Sequence, residues 1–166
     1  MIKKLLLAVL VALPLSAAAQ KFGVVSAEQI FAAMPETAEI QKKLGEASKQ
    51  YEDEYAKLND EMQKKFAEYQ QLEQDATTPA SIKERRLQEI QDMDKKAQQF
   101  LQTAQQDLQR QQQQLSQPVQ EKLMNAIKSV GAAQNLIMVF PVEIPIYVSG
   151  EVVDITPMVK TQLGVK

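Results

Sequence analysis

The stretch 98–120, QQFLQTAQQDLQRQQQQLSQPVQ, holds twelve glutamines in twenty-three positions and decides how the chain is read. Composition alone points to a disordered, aggregation-prone tract. The spacing of the residues between the glutamines points elsewhere. Ala97, Leu101, Ala104, Leu108, Leu115 and Val119 return every three or four residues, with Gln112 filling the one step between Leu108 and Leu115, which keeps one apolar stripe on a helix over several turns. Glutamine is a good helix former, within a few tenths of a kcal/mol of Leu or Lys. The tract therefore reads as a helix whose outward faces are glutamine.

The stripe extends in both directions. Arg86, Ile90, Met93 and Ala97 precede it and Leu123, Ala126 and Val130 follow, with only Arg86 and Gln112 interrupting the apolar series. An equivalent series, Ile40, Leu44, Ala47, Tyr51, Tyr55, Leu58, Met62, Phe66 and Tyr69, runs upstream with the same 4-3-4 spacing. Eleven residues per three turns gives a nearly straight or slightly right-handed seam, unlike a left-handed heptad coil. At about 1.5 Å per residue the first helix would be roughly 58 Å long and the second roughly 80 Å. Between them DATTPASIKE carries helix-start signals, Thr78 before Pro79 and Ser81 three residues ahead of Glu84. Two helices of one period joined by a short turn make an antiparallel hairpin, residues 37–130, with its tip near 75–81.

Pro35 and Pro118 fall inside helical pattern, where each should kink or break its helix. Folding the chain about residues 76–78 brings position 35 opposite 118–120. The two prolines then form a paired hinge at the root of the arm. Two independent kinks are the alternative.

The chain ends differ from the arm. KFGVV before Ser26, NLIMVF and IPIYV are short β-branched and aromatic runs bounded by Pro141, Pro145 and Gly150. Ser26 with Gln29 reads as a capping box, Gly131 as the stop of the second long helix, and Thr156-Pro157 as the start of a last short helix. Three short strands cannot bury a core alone. The fold class is thus α+β: a small β body, residues 20–36 and 131–166, completed by self-association through Val24, Val25, Ile137, Val139, Ile146 and Val148, and one long hairpin arm per chain.

MIKKLLLAVLVALPLSAAAQ has a basic start, an apolar run from Leu5 to Leu15 and Ala17-x-Ala19, the form of a cleavable secretory signal spanning 1–19. Eleven apolar residues broken by Pro14 cover only about half of a ~30 Å hydrocarbon core. Removing Lys3 and Lys4 leaves 17 basic against 21 acidic residues, a net −4 that does not favour nucleic acid. The chain has no cysteine and no histidine, which excludes disulfides, thiolate metal sites and histidine-based triads. Its five glycines are scattered, so no phosphate loop is present and no cofactor is implied. Rows of acids such as Glu52-Asp53-Glu54, or Asp92 and Asp94, lack the burial that tunes catalytic carboxylates, so the chain does not read as an enzyme.

Two stretches, FGVVSAEQIFAAMPE at the start and IPIYVSGEVVDIT at the end, resemble the OmpH-like (Skp) family of periplasmic chaperones. Val24, Val25, Ile30, Phe31 and Pro35 stand at matching places in the first, and Asp154, Ile155 and Thr156 in the second. Ser26 replaces a frequent Asp, another helix N-cap. The resemblance implies a homotrimer with a β-barrel body and three arms around a cavity. It also implies an ATP-independent holdase for unfolded outer-membrane proteins. An exported coiled-coil spacer or adaptor is the rival reading. Candidate client contacts are Ile82, Leu87 and Phe100, which fall off the stripe, and Tyr55, Met62, Phe66, Tyr69 and Met93. Of these, Met62, Phe66 and Met93 also fit the hairpin seam. The mixed charges at Lys64-Lys65, 83–86 and Lys95-Lys96 read as a solvated face, and contact with a membrane surface is left open.

Overall fold

A computed structural model describes residues 21–165. In chain order the elements are β1 (Lys21–Val25), α1 (Ala27–Ala33), α2 (Pro35–Gln74), α3 (Ala80–Ala133), β2 (Leu136–Pro141), β3 (Val153–Asp154) and α4 (Thr156–Leu163). The chain divides into two compact units. One is Phe31–Lys122; the other combines the two ends, through Ile30 and from Leu123. The expected signal peptide lies outside the described residues.

The unit built from the chain ends holds a three-stranded parallel sheet in the order β2-β1-β3. Gly23 in the central strand is flanked on both sides: an added Cβ would lie 2.6 Å from Leu136 Cδ1 and 3.3 Å from the Val153 carbonyl oxygen. The side chain could swing away, but the backbone oxygen could not, so the position favours glycine. Val24, Val25, Ile30, Ile155 and Val159 are buried, together with Ile127 and Val130 from the end of α3. The Thr156 hydroxyl accepts a hydrogen bond from the Ser26 amide at 2.9 Å, and the Asp154 carboxylate accepts one from the Thr156 amide at 2.9 Å. α4 ends on Gly164 at φ +70°, a left-handed cap.

Four sequence expectations are corrected here. Gln29 does not close a capping box onto the Ser26 amide, because Thr156 takes that donor from the other end of the chain. Gly131 is not the helix stop: α3 continues to Ala133, and Asn135 at φ +53° turns the chain. Asn tolerates the left-handed region, and a Cβ added at Gly131 would lie 3.4 Å from Val139 Cγ2. IPIYV is not a strand in this chain. β1 has only two edges, taken by β2 and β3, which leaves 144–148 without a partner strand. Last, Val24 and Val25 have almost no free surface, because the central strand is covered within its own unit.

The other unit is the hairpin. Met34 is extended and Pro35 occupies the first turn of α2, where its missing N–H costs nothing. α3 runs through Pro118 without interruption, leaving the Gln114 carbonyl without its i+4 donor. Two cross-arm bonds set the register: Lys122 pairs with Glu36, and the Tyr51 hydroxyl donates to Asp107 at 2.7 Å. Residue 79 lies midway between the partners of both pairs, so the hairpin turns about Pro79 and not about 76–78. The difference moves one helix by about a turn past the other. Pro118 is consequently level with about residue 40, so the two prolines are not level with each other.

Candidate functional site

The arm surface is built from the two seams. Ile40, Ala97, Ala104 and Val119 are buried, and Leu44, Ala47, Tyr51, Tyr55, Leu58, Met62, Tyr69, Ile90, Met93, Leu108 and Leu115 are half-buried. A pair of helices is too thin to enclose large side chains fully, so the seam is half-wet along most of its length. Among the candidate client contacts, Tyr55, Met62, Tyr69 and Met93 belong to this seam. Phe66, on the same stripe, is 48% exposed, and the off-stripe Ile82 and Leu87 are each 38% exposed.

Phe100 is placed differently from its sequence expectation. It is half-buried, and its ring meets that of Tyr51 edge-on, with centroids 6.0 Å apart and planes at 65°. Its neighbour Leu101, assigned to the stripe, is 46% exposed. The same exchange occurs at Gln111, half-buried, and Gln112, exposed. A 3.67-residue period puts the seam between two adjacent positions at intervals, and the helix has rotated to give it Phe100 and Gln111.

Asp107 was missed by the sequence reading although it is the lone acid between Asp94 and Glu121. Its carboxylate accepts from Tyr51 and also pairs with Arg110 one turn along. At the arm root, the Lys122 hydrogen bond holds the Glu36 carboxyl below the usual carboxylate range, while its second oxygen is buried without a partner. Other ion pairs among the described residues join i,i+3 or i,i+4 neighbours, such as Lys43–Glu39 at 2.8 Å and Arg86–Glu89 at 2.6 Å. They dress single helices and contribute little each.

The tip is ordered by Asp75. Its side chain accepts from the Thr77 amide at 2.8 Å, the Thr77 hydroxyl at 2.7 Å and the Thr78 hydroxyl at 2.8 Å. Lys83 donates to the backbone carbonyls of Glu73 and Asp75. These bonds, the Thr77 hydroxyl first, lower the Asp75 pKa to about 2. The expected Thr78 and Ser81–Glu84 caps are thus replaced by an Asp-centred turn, and α3 starts at Ala80 with the Pro79 carbonyl accepting from Ile82 and Lys83.

In the end unit, Ile137, Ile146 and Val148 are exposed, Ile146 fully, and Val139 is half-buried. Phe22, Met138, Phe140, Val142, Ile144 and Tyr147 are exposed beside them. An apolar cleft of about 270 Å³ opens between β1, Phe140 and the 144–152 segment. An exposed apolar surface of this density marks an interaction site.

The outer membrane protein (OmpH-like) family model matches residues 21–163, nearly the whole described chain. The chain belongs to the OmpH-like family. Comparison with the curated proteins found no match. Membership is consistent with a periplasmic chaperone role. The mostly helical α+β architecture, with long helices and one small sheet, agrees with that family. Among the described residues no helix is long and apolar enough to cross a membrane, and no cluster of His, Cys, Asp and Glu could hold a metal.

Proposed function

We propose that this protein is an ATP-independent holdase of the bacterial periplasm, exported by a cleaved signal peptide, that binds unfolded outer-membrane proteins. Three copies associate through the apolar surface of the end unit, closing a β-barrel-like body, and clients are held between the arms. The observation that carries this reading is the row of large apolar side chains left open along the arm, Phe66, Ile82, Leu87 and Leu101. No fold requires them there, and each offers a client a weak contact. Many weak contacts in a confined space hold an unfolded chain by avidity while leaving each one free to exchange. Such binding needs no nucleotide for release, only a better acceptor. Pro35 and Pro118 serve as points where the arm bends.

The test combines solution mass with suppression of aggregation of a denatured β-barrel membrane protein in the absence of nucleotide. A trimer that keeps the client soluble is expected. A monomer that leaves aggregation unchanged sinks the reading. Stoichiometric binding of one folded partner would instead identify a spacer or adaptor.

A further inference from the structure

With Glu36 against Lys122 and Tyr51 against Asp107, residues 97–120 of α3 run beside roughly residues 38–61 of α2. The two faces at this level differ in chemistry. The α2 segment carries eleven charged side chains, seven acidic and four basic. The α3 segment carries two, Asp107 and Arg110, and these pair with each other. Asp107 also accepts from Tyr51, so its carboxylate is turned to the seam. The remaining outward positions of α3 are largely exposed glutamines, among them Gln102, Gln106, Gln109 and Gln113. A solvated helix face is ordinarily laced with charge, as α2 is here; α3 over this length has no free charge.

Each glutamine presents two N–H donors and a carbonyl acceptor. An unfolded polypeptide presents the complementary groups along its whole backbone, since its peptide N–H and C=O have no internal partners. A charged wall would favour client segments of opposite sign and repel the rest. A glutamine wall bonds the backbone, which every segment shares. We propose that the glutamine face of α3, residues 98–120, is the surface against which unfolded polypeptide lies, and that it takes segments of either charge. The inference rests on the holdase reading and adds to it the wall and its indifference to client charge. Leu101 is the apolar contact set within that wall.

The experiment measures binding of two disordered polypeptides to the mature protein at low salt. They are matched in length and apolar content and carry opposite net charge. The unsubstituted protein is expected to bind both with affinities within about threefold of each other. Replacing Gln102, Gln106, Gln109 and Gln113 by Glu adds four negative charges to α3 with little change in helix propensity. This variant is expected to favour the basic polypeptide over the acidic one by at least roughly tenfold. A charge-matched control, with Gln41, Gln50, Ala56 and Gln63 replaced by Glu on α2, is expected to shift the ratio much less. Circular dichroism confirms that both variants retain their helices. Equal ratios in the α3 variant and the unsubstituted protein overturn the inference, as does an α2 control that shifts the ratio as far as the α3 variant does. If the unsubstituted protein binds neither polypeptide, the holdase reading itself fails, and this inference with it.

Discussion

Asp75 shows how one residue can order a turn that carries no hydrophobic core. Its carboxylate collects three donors from Thr77 and Thr78, and this holds its pKa at about 2. Because the folded value is below the unfolded one of about 3.9, the charged form stabilises the tip above roughly pH 4. That contribution is lost as the pH falls from about 4 to about 2 and is constant at higher pH. A carboxyl resonance of Asp75 titrating near 2, with the Thr77 amide signal moving in step, is the expected NMR result. A midpoint near 3.9 would show that the turn does not hold its acid. Tyr51 gives a second test at this scale. Tyr51→Phe keeps the ring that meets Phe100 edge-on but leaves the half-buried Asp107 without its cross-arm donor. A loss of about 1–2 kcal/mol is expected in urea unfolding. The same substitution made in an Asp107→Ala background should cost clearly less, because the bond is already gone.

At the scale of the element, Gly45 and Pro118 lie in the two arm helices where their neighbours do not ask for them. A Cβ at Gly45 would meet nothing within 4 Å, and the position is exposed. Gly45→Ala should therefore stabilise the arm by about 0.5–1 kcal/mol, seen as a higher urea midpoint. Pro118→Ala restores a donor to the Gln114 carbonyl and should stabilise by about 1–3 kcal/mol, with slower amide exchange over the neighbouring turn. Exchange that is unchanged there would remove Pro118 as a point of bending. The arm's existence was legible because its apolar spacing persists for many turns, far beyond what a loop would keep by chance. Its phase was less so. Phe100 and Leu101 are both apolar, as Gln111 and Gln112 are both amides, so the pattern cannot choose which member turns inward. The register depended on polar pairs, Glu36–Lys122 and Tyr51–Asp107, whose partners are far apart in sequence. The Ser26–Thr156 bond escaped notice for the same reason: a local capping signal was present, and a residue 130 positions away filled the role.

At the scale of the whole molecule, the body poses a question of area. Among the described residues β1 has two partner strands, and the apolar run from Leu136 to Val148 is left largely in water. Among the described residues no element covers Ile146 or Tyr147, and 144–148 has the composition of a strand without a neighbour. Covering these side chains with equivalent surfaces of other copies removes several large apolar groups from water per chain, each worth about 1.5–3 kcal/mol when fully buried. That is enough to drive association of copies. Under the proposed trimer, Ile146→Glu combined with Tyr147→Asp would place charges in that surface and should yield a monomer by sedimentation equilibrium. Because folding of the body is then linked to assembly, unfolding of the unsubstituted protein should rise in midpoint with protein concentration, and the double variant should show no such dependence. The arm should retain its helical signal in the variant, since none of its bonds involves residues 144–148. A double variant that keeps the mass of the unsubstituted protein would mean that this apolar surface is not where the copies meet, and would point instead to clients as its occupants.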